Sequence, residues 1–191
     1  LAILFWVISG TVLSQIADPF VNRFNATQKG GIVFVTNTIL QCDGSGVSGS
    51  RCADLVTETP PTYTSYSRNN SFNSEYIDID SDPSTFSSSS DSLKLPACSE
   101  VLFAEIYWGA RRSPGDDYYS DRDEIKISID EGAYETIVAD DLFDNTAGYN
   151  SYHCRANITE LVQSAPIDAK YTVANIYGSL SGTNNWGGWN I

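Results

Sequence analysis

Short runs of β-branched and aromatic residues recur along this chain, each bounded by Gly, Pro, Asn, Asp or Ser, and one stretch alone carries a helical pattern. That rhythm constrains the fold more than any other feature. GIVFVTNTIL (Gly31 to Leu40), EYIDID (Glu75 to Asp80), Ser92 to Leu95, VLFAEIYW (Val101 to Trp108), EIKISI (Glu124 to Ile129), Tyr134 to Ala139, Ser151 to Arg155, Tyr171 to Tyr177 and Trp186 to Ile191 are all read as strands. Asn157, followed three residues later by Glu160, marks a capping-box-like start for a helix over Ile158 to Ser164, which Pro166 ends. Many strands, one small helix and no alternation of the two predict an all-β fold, a jelly-roll-like β-sandwich of two sheets. No P-loop accompanies them.

The first residues, LAILFWVISGTVL, are apolar and free of charge, too short to span a bilayer and of the length of a signal-peptide core. Val12 and Ser14 suit a cleavage site that leaves Gln15 at the mature end. The expected organisation is a signal peptide over 1–14 lacking its basic n-region, a linker over 15–30 and a β-sandwich domain over 31–191, truncated within its last strand. The mature chain is then secreted, extracellular or on the cell surface, with no membrane span. Eleven Lys plus Arg against 24 Asp plus Glu give a net charge of -13, the opposite of what nucleic acid or an anionic membrane attracts.

Export sets how the four cysteines are read, because disulfides persist in oxidising compartments. Cys42, Cys52, Cys98 and Cys154 show no zinc-site spacing, and His153 is the lone histidine. Of three possible connectivities, Cys42 to Cys52 around a Gly- and Ser-rich loop, with Cys98 to Cys154 across the domain, is the favoured one.

Candidate chemistry lies in carboxylates and aromatics. Asp78, Asp80 and Asp82 alternate through DIDSD, and Asp116, Asp117, Asp121 and Asp123 crowd the loop SPGDDYYSDRDE; clustered oxygen ligands outside a cell suit calcium. The plainer use of each is a solvated acidic surface, with Arg111, Arg112 and Arg122 available to neutralise the second cluster. Asp140, Asp141 and Asp144 read as a turn. Glu105, inside an apolar strand, must point outward or meet a cation. Tyr107, Trp108, Trp186 and Trp189 form a candidate stacking platform for sugars, with core packing as the alternative. A non-catalytic role is expected, since no GxSxG elbow is present and a strand histidine such as His153 is most often structural.

NTIL at 37–40, EYIDIDSDPSTFSSSSDSLKLP from Glu75 to Pro96, AEIYWGA from Ala104 to Ala110, NITELV from Asn157 to Val162, YTVANI and GGWNI occur in an order and spacing that resembles the N-terminal β domain of large secreted surface proteins of gliding, type-IX-secreting bacteria. Such proteins often continue into Ig-like repeats and a gliding-motility-associated C-terminal sorting domain. The resemblance implies an adhesin-like module whose partners are a glycan, a matrix or neighbouring surface-protein domains. It also implies that the strand beginning at Trp186 runs on past Ile191. Cys98 stands where that pattern has glycine, and Cys154 is likewise additional. The rival expectations are a carbohydrate-binding module of a secreted enzyme and a structural spacer.

Overall fold

The computed structural model describes residues 21–46, 72–112, 119–145, 150–180 and 184–191. The expected signal peptide over 1–14 lies outside them. The chain divides into two units, 1–30 and Gly31–Ile191. Residues 21–30 carry no helix or strand and are exposed. Among the described residues no helix is long and apolar enough to cross a membrane.

The second unit is all-β. Five strands, β1 (Thr36–Thr38), β11 (Gly187–Asn190), β5 (Glu105–Arg111), β9 (Ser151–Asn157) and β8 (Asp141–Asn145), lie in that spatial order in one antiparallel sheet. A second sheet runs β4 (Ser88–Ser92), β10 (Lys170–Ala174), β6 (Glu124–Ile129) and β7 (Glu135–Val138). The strands β2 (Leu40–Gly46) and β3 (Phe72–Tyr76) pair as a separate ribbon. Among the described residues the one α-helix, α1 (Thr159–Ser164), follows β9.

Period-two alternation explains why the two larger sheets face each other. On β5, Ile106, Trp108 and Ala110 are buried, and on β9 Tyr152, Cys154 and Ala156. They share one apolar cluster with Ile125 and Ile127 of β6 and Tyr171 and Val173 of β10. Each large apolar side chain buried this way contributes about 1.5–3 kcal/mol. Polar groups cross the same interface: the Trp189 indole N–H donates to Ser89 Oγ at 2.9 Å and the Asn37 amide to the Ser90 carbonyl at 2.7 Å.

Strand positions differ from expectation for local reasons. Of Gly31 to Leu40, Thr36–Thr38 pairs as β1, and Val35 extends the ladder by exchanging two backbone bonds with Ile191. Ile32, Val33 and Phe34 are exposed. Pairing of the serine run, rather than Ser92 to Leu95, forms β4, since small side chains at Ser88 and Ser89 fit a fully buried position that apolar pattern cannot reveal. Asp141–Asn145, read as a turn, is the edge strand β8. Helix α1 begins one residue later than expected, at Thr159 with Ile158 at its N-cap and no side-chain cap bond; Asn157 Oδ1 accepts the Thr159 N–H at 2.9 Å, without the reciprocal bond of a capping box.

Candidate functional site

Strand register builds a groove on the outer face of the five-stranded sheet. Gly188 of β11 lies opposite Gly109 of β5, which lies opposite His153 of β9; Thr38 of β1 closes the row at its other end. Two adjacent positions of the sheet surface thus lack a Cβ. The row ahead holds Asn190 beside Tyr107, and the row behind holds Trp186, whose carbonyl accepts the Arg111 N–H at 3.0 Å. Tyr107 and Trp186 stand on either side of the glycines, about 13 Å apart along the strands. The space between has a volume of about 480 Å³, within the roughly 300–1,000 Å³ typical of small-molecule sites.

The backbone leaves no alternative to glycine on this floor. A Cβ at Gly109 would lie 2.5 Å from the Tyr152 carbonyl oxygen, and one at Gly188 2.8 Å from that of Asn37. Each wall is held by a neighbouring side chain. The His153 imidazole stacks on the Trp186 indole, centroids 5.3 Å apart and planes inclined by 28°. The Tyr107 hydroxyl donates to Glu105, whose other carboxylate oxygen takes a 2.9 Å hydrogen bond from Arg155. The Arg155 guanidinium also pairs with Asp141 at 2.5 Å. Glu105 therefore meets a cation, one of the two arrangements its place in an apolar strand required.

Of the four candidate aromatics, Tyr107 (42 % exposed) and Trp186 (37 %) border the groove with their side chains. Trp108 and Trp189, opposite each other in the ladder and 2 % exposed, point into the core. Their alternation with Tyr107 and Asn190 decides this, and the Trp108 indole N–H is satisfied by the Arg122 carbonyl at 3.0 Å. Gly109, Gly188, His153 and Asn190 were missed by sequence reasoning. The sequences WGA and WGGW contained the signal, because a glycine next to an inward tryptophan on a strand leaves a gap on the outward face.

The described acidic candidates are engaged in hydrogen bonds within the protein. Strand β3 ends at Tyr76; Asp78 makes an isolated parallel bridge with Ser88, and Asp80 and Asp82 follow in a bend and irregular backbone instead of continuing one strand face. The Asp82 carboxylate accepts the Ser84 N–H at 2.7 Å, Asp78 and Asp80 share the Ser88 hydroxyl at 3.0 and 2.9 Å, and Asp80 also accepts from Tyr134. Burial works to raise the Asp80 pKa, but these bonds outweigh it and hold the carboxyl below its ordinary value. Asp116 and Asp117 lie outside the described residues; Asp121 is bonded to Ser120 at 2.6 Å, and the Asp123 carbonyl accepts the Ala139 N–H. Among the described residues no group of three or more His, Cys, Asp or Glu could hold a metal ion. Arg122 does not neutralise its own loop: its guanidinium grips Asp144 of β8 at 3.0 and 2.6 Å and lies over the Tyr119 ring.

The expected bridge between Cys98 and Cys154 is absent, for both thiols are free. Alternation on β9 turns Cys154 inward, where its thiol faces the Arg122 carbonyl at 3.5 Å, while Cys98 sits exposed in a left-handed backbone conformation at φ 68°. Cys42 is disulfide-bonded, and Cys52, its expected partner, lies outside the described residues. Comparison with protein-family models, curated proteins and solved structures finds no match for the chain.

Proposed function

We propose that this chain is a non-catalytic binding module of a larger secreted surface protein, and that it holds its extracellular partner in the glycine-floored groove. The observation that carries this reading is the register of Gly109 with Gly188 between two exposed aromatics, Tyr107 and Trp186. Exposed aromatics over a fixed backbone floor give contact area at little entropic cost, the usual make-up of a recognition surface. The acidic net charge of -13 and the resemblance to adhesin-like domains support display outside the cell.

The test is retention of the protein and of Trp186→Ala on surfaces coated with neutral glycans, acidic glycans or extracellular matrix protein. At least one surface is expected to retain the parent protein several-fold better. Equal retention of both on every surface would remove the groove from the function. Calcium belongs to the proposal as a stiffener of the acidic turns. A higher Tm in millimolar calcium than in excess chelator supports that part, and an unchanged Tm returns Asp78, Asp80 and Asp82 to turn bonding alone.

A further inference from the structure

Resting on the reading of the groove as the binding surface, we infer that its ligand is an uncharged pyranose of a neutral polysaccharide, lying on the Gly109 and Gly188 floor with a C–H face against Trp186. Three observations lead there. The first is charge: among the described residues no Lys, Arg, Asp or Glu lines the groove, so none of them offers a counter-ion to a carboxylate, sulfate or ammonium that loses water on entering it. A polyanion would also approach against the field of a chain at -13.

The second is the mixture of wall chemistry. An aromatic ring meets the polarised C–H bonds of a sugar through the negative face of its π-system. Hydroxyls around that ring need donors and acceptors together, and the Asn190 side-chain amide, which lines the same groove, carries both. A docked protein patch would favour a broader apolar centre than this one.

The third is preorganisation. With the His153 ring stacked on Trp186 and Glu105 holding the Tyr107 hydroxyl, both walls have contacts that restrain them before a ligand arrives, so less rotamer freedom remains to be lost on binding. Gly109 and Gly188 add no side chain to the floor, and neighbouring backbone fills the place a Cβ would take at each, so the floor is set by the strands themselves.

The experiment titrates the full chain with cellohexaose, mannohexaose and chitohexaose, and in parallel with oligogalacturonate, following tryptophan fluorescence and the Trp186 indole N–H resonance. At least one neutral hexasaccharide is expected to shift both signals saturably, oligogalacturonate neither. Trp186→Ala should weaken that binding roughly tenfold and Trp186→Phe by less, because stacking of this kind is worth about 1 kcal/mol or more. Asn190→Ala, which leaves the stacking wall intact, should weaken it as well and stands in if Trp186→Ala fails to fold. Silence with all neutral sugars, while Trp186→Ala still loses retention on acidic glycan or matrix protein, would overturn the sugar class and leave the groove's role standing. Equal retention of parent and variant everywhere would sink both.

Discussion

Tyr107 is held in place by a chain of polar contacts that starts in the sheet: Asp141 to Arg155, Arg155 to Glu105, Glu105 to the Tyr107 hydroxyl. Glu105 and Arg155 have side chains only 6 % and 11 % exposed, so neither charge tolerates loss of its partner well. Glu105→Ala is expected to cost about 3 kcal/mol, at the lower end for a broken buried pair because Arg155 keeps Asp141. Urea melts of parent and variant measure it; a difference within a few tenths of a kcal/mol would show that the network does not anchor the wall. The free thiols separate by environment in the same way. Burial pushes the Cys154 thiol up to about 12, so it stays protonated at neutral pH, whereas Cys98 is exposed. Brief alkylation of the folded protein near pH 8, mapped by mass spectrometry, should label Cys98 and leave Cys154 untouched until denaturant is added.

At the level of elements, β8 shows both the limit of sequence reading and what the acidic residues do. Asp141, Asp144 and Asn145 lack the composition of a strand, yet tertiary partners override that preference. Asp141 pairs with Arg155, Asp144 accepts two bonds from Arg122, and Leu142 packs on the core. The hydrogen bonds from Arg122 hold the Asp144 carboxyl below its ordinary value against the opposing effect of burial. A carboxyl depressed in the fold stabilises it above the unfolded value near pH 3.9 and loses that contribution as pH falls through the lower folded value. Asp144→Asn should therefore cost about 1 kcal/mol at pH 7, with the deficit shrinking as the pH falls below about 3.9 and gone once it is below the folded value. Denaturant melts across the acid range check it, and a deficit constant with pH would assign the loss to packing. By contrast, β6 occupies the Glu124–Ile129 span that its alternation marks, and β9 and β11 differ from theirs by a residue or two, because half-buried strands write their faces into the sequence. The serine-filled β4 does not, since its burial rests on small size and on Trp189 donating to Ser89.

For the molecule as a whole, the groove sits where the sandwich has most to hold it. Its floor belongs to β5 and β11, which are interior strands of their sheet, paired on both sides, while β8 and the opposite sheet's β7 each have one neighbour. The inward tryptophans of the same two strands, Trp108 and Trp189, anchor that floor to the core. This division between a buried and a presented aromatic set was legible only in part. The sequence showed four aromatics in two short segments, but which of them face outward depends on register, and register depends on pairings between Trp108 and Trp189 that lie far apart in the chain. Opening free energies should follow the same geometry, with amides of Tyr107 to Ala110 exchanging only through near-global unfolding and those of Glu135 to Val138 through local fraying. Native-state hydrogen exchange measures both. If the Gly109 and Gly188 amides prove as labile as those of β7, the floor is not preformed, and a bound sugar would then have to order it at a cost in affinity that the register between the two strands otherwise avoids.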